Sequence, residues 1–178
     1  MRDTRNVLII VGSAPCAQED VAGALSLLHE IQDMNDAFDV MAIGMDAVNY
    51  IVHIDYFATY HTADIDEARI RREADGLNTD YKIIAHMQYK EMVQTILPCN
   101  PPSGSSALLG VLAGIKLGYR KIIVCGCPLI GKNAKGFDYA NFQKGWTAKF
   151  AAIKDKTRSM SGWTKKLLGA PDEVWLND

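Results

Sequence analysis

The sequence has no apolar run long enough to cross a membrane. Its first such stretch, Val7-Leu-Ile-Ile-Val11, ends at Gly12, too short for a span or for the core of a signal peptide, so a cytoplasmic protein is expected. It has no excess of basic charge either. With 19 Lys and Arg against 21 Asp and Glu, the formal net charge is −2, which argues against duplex nucleic acid as a partner. The four cysteines, Cys16, Cys99, Cys125 and Cys127, show no C-x-x-C pair, so neither a zinc site nor a disulfide framework is expected. Cys125 and Cys127 flank one glycine and would point to the same side of a continuing strand. The turn after the first apolar run, Gly12-Ser-Ala-Pro-Cys16, lacks the three spaced glycines of a dinucleotide fingerprint and the Gly-Lys-Ser/Thr of a P-loop, which removes both of those readings. No histidine occurs beyond His86.

What is present is a regular alternation. A chain of 178 residues that is 48% hydrophobic suits one domain, 1–178. Val7 to Val11 reads as a central strand, and 19–34 as a helix with Val21, Leu25, Leu28 and Ile31 on one face. Strands follow at 38–44, 56–61 and 81–85, with a short helix at 46–52 and a charged surface helix at 63–76. Residues 92–97 fit either a strand or a helix end, and Pro98, Pro101 and Pro102 impose an irregular passage. Ser103-Gly-Ser-Ser106 then opens a helix carrying Leu108, Leu109, Leu112, Ile115 and Leu117, which Gly118 stops before the strand Ile122-Ile-Val124. A glycine-containing loop with Lys132 and Lys135 leads to a C-terminal helical arm, 138–178, bearing Lys144 and Phe142, Trp146 and Phe150 on one side, with Trp163 and Trp175 beyond; the aromatics are expected to serve as packing or interface. The fold class is α/β: a Rossmann-like, mostly parallel sheet with helices on both faces and that helical arm.

In such sheets ligands bind beyond the carboxyl ends of the strands. Two turns there suit an anion, since a helix start exposes N–H groups with partial positive charge: Gly12-Ser13-Ala14, and Ser103-Gly104-Ser105-Ser106, with Ser103 or Ser105 as the cap. If the two adjoin, they face one crevice. His61 and His86 end predicted strands on the same side and are the candidate bases, although a loop-capping role fits each as well. His29 and His53 read as structural. Asp46 and Asn49 suit a sugar hydroxyl, with Asp46 equally suited to capping the short helix. Asp64 and Asp66 suit a magnesium ion bound with substrate phosphates, Asp64 equally an N-cap, and no metal site is assigned.

The order Val7-Leu-Ile-Ile-Val-Gly-Ser-Ala-Pro, Phe38-Asp-Val-Met-Ala-Ile-Gly, Asp55-Tyr-Phe-Ala-Thr-Tyr-His, and Ser103-Gly-Ser-Ser-Ala through Lys-Ile-Ile-Val-Cys-Gly126 resembles a Rossmann-like family of the hydroxymethylpterin diphosphokinase type. It is also similar to the bacterial sialyltransferases that use CMP-sialic acid. The resemblance runs from about Val7 to Tyr139 and implies that Gly12, Ser13, Ala14, Gly44, Ser103, Gly104, Ser105 and Ser106 line a nucleotide or nucleotide-sugar pocket. Two departures stand out: Gly12-Ser-Ala replaces the asparagine-glycine turn of the sialyltransferases, and their downstream histidine base has no counterpart. The expected function is nucleotide or nucleotide-sugar binding in a glycosyltransferase-like transferase. The alternatives are a magnesium-dependent diphosphokinase-like enzyme, and a non-enzymatic assembly protein, a homo-oligomer for instance, that keeps the fold. The nucleotide, the acceptor and any metal dependence stay open.

Overall fold

The computed structural model describes residues 7–31, 38–45, 47–49, 53–97, 105–132, 136 and 138–178. Seven strands form one sheet in the order β5-β4-β3-β2-β1-β6-β7, every neighbouring pair parallel. They are β1 Val7–Val11, β2 Phe38–Ile43, β3 Tyr56–Thr59, β4 Lys82–Ala85, β5 Val93–Ile96, β6 Lys121–Cys125 and β7 Thr157–Ser159. An interior strand is β1, whose five residues are all buried, as an unbroken β-branched and apolar run requires when both faces are covered. Alternation along β1 divides the core: Val7, Ile9 and Val11 face one layer, Leu8 and Ile10 the other.

Helices α1 (Ala17–Glu30) and α2 (Asp64–Ala74) pack on the first face with the short C-terminal α6 (Glu173–Asn177). On the second lie α3 (Ser106–Leu117), α4 (Ala140–Ile153) and α5 (Gly162–Leu168). Gly110 and Gly114 let α3 settle low on the sheet: a β-carbon at Gly110 would come within 2.8 Å of Ile43, and one at Gly114 within 2.7 Å of Leu8. That close seat fixes where the helix begins.

Several expectations are revised. Residues 92–97 hold an edge strand, β5. The C-terminal arm is not wholly helical: β7 breaks it and pairs with β6, because buried Thr157 and Ser159 sit with alternating exposure where the sheet needs an edge. Within 46–52 the described residues Ala47–Asn49 form a 3₁₀ turn. Cys125 and Cys127 lie in opposite core layers rather than on one side, because the strand ends at Cys125 and Gly126 adopts φ 64°. The aromatic set packs inward, with Trp146 fully buried and Phe142 and Phe150 against the second layer. The Trp175 ring has Lys121 Nζ 4.9 Å and Arg158 Cζ 5.1 Å from its centroid.

Candidate functional site at the carboxyl edge

The sheet order reverses between β1 and β6, and there the first turn meets the end of β6. Gly12 N–H donates to Cys125 O at 2.9 Å and Ala14 N–H to Gly126 O at 3.1 Å. Two of the backbone donors expected to hold an anion are thus committed to the sheet. Gly12 is glycine for packing rather than for ligand approach: a β-carbon there would stand 2.3 Å from Cys127 Sγ and 2.5 Å from Gly126 O. A further anion already occupies this corner. Asp20, in the first turn of α1 and 6% exposed, accepts Gly126 N–H at 2.8 Å and the Ser161 hydroxyl at 2.6 Å. Its charge offsets the positive end of α1. Cys16 Sγ lies 3.4 Å from Ser161 Oγ, and burial, with Asp20 nearby, raises its thiol above the ordinary value.

Ser13 remains exposed, its hydroxyl donating to Ile43 O at 3.5 Å. Gly44, next along β2 with φ 77°, lies against it: a β-carbon on Gly44 would sit 3.5 Å from Ser13 Oγ. One strand further on, Tyr60 N–H donates to Ser106 Oγ at 3.4 Å, and its ring lies 5.0 Å from that of His86 beyond β4. Ser13, Gly44, Tyr60 and His86 therefore follow the carboxyl ends of β1, β2, β3 and β4 in order, with the start of α3 joined to them through Ser106.

Ser105 is the cap of α3. Its buried hydroxyl accepts Leu108 N–H at 3.3 Å and Trp146 Nε1–H at 3.3 Å, so it is turned to the helix and the core. The N–H groups of Ser106 and Ala107 are those that a helix start leaves without an intrahelical acceptor. The first turn is thus closed by the sheet and by Asp20.

Of the other predicted residues, Asp46, Ser103, Gly104 and Lys135 lie outside the described residues. The imidazole of His61 is exposed, and the residue is held by its backbone, with its N–H on Thr59 Oγ1 at 2.9 Å and its O accepting Asp64 N–H at 2.9 Å. Asn49 donates to Asp75 at 2.7 Å. Asp64 is the first residue of α2 rather than its cap, which is Ala63. Asp66 accepts the Tyr89 hydroxyl at 2.8 Å and Lys90 Nζ at 2.6 Å, bonds that hold its carboxyl below the ordinary value. Among the described residues no three His, Cys, Asp or Glu side chains converge on a metal position. The sequence carries no signal for the role of Asp20 beyond an acidic residue in the first turn of a helix. Tyr60 was hidden inside a strand motif.

Comparison with solved structures finds the sialyltransferase CstII from Campylobacter jejuni, in complex with a substrate analogue, cytidine-5′-monophosphate. The two superpose with a TM-score of 0.57, covering 94% of this chain and 86% of that one at 12% identity. The chain shares that enzyme's fold. At this identity the likeness speaks to architecture: the α/β, Rossmann-like class expected from the sequence holds, with seven strands all parallel. No family model matches the chain, and no curated protein matches it. The diphosphokinase resemblance therefore rests on the sequence motifs alone. No helix among the described residues is long and apolar enough to cross a membrane.

Proposed function

We propose that the carboxyl edge binds a nucleotide or nucleotide sugar and that the chain is a transferase of the glycosyltransferase type. The observation that carries this reading is the line Ser13, Gly44, Tyr60 and His86 along four consecutive strand ends, with the start of α3 joined to it through Ser106. The helix start supplies N–H donors for phosphate, Gly44 leaves room for backbone approach, and the Tyr60–His86 pair offers ring surface. The fold shared with a sialyltransferase that was solved with CMP supports a cytidine nucleotide as the first ligand to try. Catalysis would rest on placing the phosphates against fixed dipoles.

Isothermal titration with CMP, UDP, ADP and their sugar conjugates tests it. Binding of at least one is expected, weakened several-fold by Ser106→Pro, which removes a helix-start donor. A folded protein that takes none at millimolar concentration overturns the proposal. The magnesium-dependent reading gains nothing from Asp66, whose carboxylate is engaged by Tyr89 and Lys90. The assembly reading draws on the missing downstream histidine and on the aromatic arm, and of that arm Trp146 lies in the core.

A further inference from the structure

Resting on the nucleotide-binding reading above, we propose that His86 serves the carboxyl edge as a neutral N–H donor through Nε2, directed at an anionic oxygen of the ligand, and not as a proton acceptor. The two nitrogens of this ring live in different surroundings. Nδ1 is shut away from solvent and has no hydrogen-bond partner. The Tyr60 ring, 5.0 Å away and tilted by 37°, forms part of that enclosure. The residue as a whole is only half-buried, and Nε2 is not among the enclosed, unpartnered atoms, so the ring opens to solvent through that side.

A neutral imidazole carries one N–H and one bare nitrogen. Orphaned buried N–H groups are rarer in folded proteins than acceptors with a lone pair left over, since a buried donor without an acceptor forfeits its only bond. The bare nitrogen therefore belongs in the enclosed position and the proton on Nε2. In that tautomer the open nitrogen has no lone pair with which to take a proton from an acceptor hydroxyl. A second proton could enter only at the enclosed Nδ1, where the N–H it creates would have no acceptor. The same arrangement suits donation: Nε2–H opens at the carboxyl edge beside Tyr60, whose own N–H donates to Ser106 Oγ in the first turn of α3. The partner that an exposed N–H donor binds most strongly is a charged oxygen, such as that of a nucleotide phosphate.

Two measurements test this. The first is a long-range ¹H–¹⁵N correlation spectrum of the histidine side chains at pH 8, with the His86 signals assigned by their loss in His86→Leu. The Nε2–H pattern is expected, and an Nδ1–H pattern overturns the assignment. The second is a CMP titration of the parent, His86→Leu and His86→Gln. Removing a donor to a charged oxygen is expected to weaken binding about tenfold in His86→Leu. Glutamine, whose amide nitrogen reaches about as far as Nε2 and cannot serve as a base, is expected to recover most of that loss. Equal affinity in all three proteins, or glutamine as weak as leucine with both variants folded, overturns the donor role. Failure of the parent to bind CMP or any other nucleotide removes the site reading and the ligand half of this inference together. An Nδ1–H spectrum beside intact CMP binding removes the inference alone.

Discussion

Gly12 shows how a single residue's environment can look like a binding feature and be a packing one. A glycine after a buried strand suggests a backbone that a ligand approaches, yet here the space is filled by Cys127 and Gly126 of the same chain. Gly12→Ala is expected to cost about 1–3 kcal/mol by overpacking, visible as a lowered midpoint in thermal unfolding. Asp66 gives a residue-scale test of charge. Its carboxyl is held below the ordinary 3.8 by hydrogen bonds from Lys90 and Tyr89, so the contribution to stability is present above that value and is lost as pH falls below it. Asp66→Asn is expected to lower stability slightly at neutral pH, the effect being small because the pair is exposed, and to flatten the acid limb of a stability-against-pH profile, with parent and variant converging below about pH 4. Urea titrations across that range measure it.

Among the elements, α3 joins core and site. Ser105 caps it and also accepts the indole of Trp146 on α4, so one hydroxyl ties two helices. Ser105→Ala is expected to cost about 1–2 kcal/mol in chemical denaturation, from the lost cap and an unpartnered buried indole N–H. The strands β1, β2, β3, β4 and β6 and the cap-to-glycine limits of α3 were legible in the sequence, because apolar runs and turn residues report local physics directly. The seventh strand was not. Thr157-Arg-Ser159 has neither the length nor the apolar character of a strand, and only the open edge of β6 makes it one. The candidate site was legible by position and not by role: topology pointed to the right edge, while the closing of the first turn depends on Asp20 reaching Gly126 across the fold, a contact that no local pattern encodes.

For the molecule as a whole, the thiols report on closure of the core. Burial pushes Cys127 up to about 12 and raises Cys125 well above the ordinary 9.0. Such groups support the folded state below pH 9 and lose that support as pH rises toward 12, because the unfolded chain ionises first. Stability is expected to fall above pH 9 by up to about 1.4 kcal/mol per pH unit for each such thiol, with a shallower decline in Cys127→Ala. Iodoacetamide labelling at pH 8, mapped by peptide mass, should leave Cys125 and Cys127 unmodified until the protein unfolds.

The position of β1 carries a further consequence for how the chain reaches its native state. Val7 pairs with Phe38 on one side and with Lys121 on the other, so this interior strand is made before either neighbour. Its second edge stays unsatisfied while more than half of the chain is still being synthesised. Parallel pairings across such separations close slowly, and in the interval an apolar strand with a free edge is a template for the wrong partner. The vulnerable moment for this protein is therefore its assembly on the ribosome, and the arrival of Lys121 to Cys125 ends it.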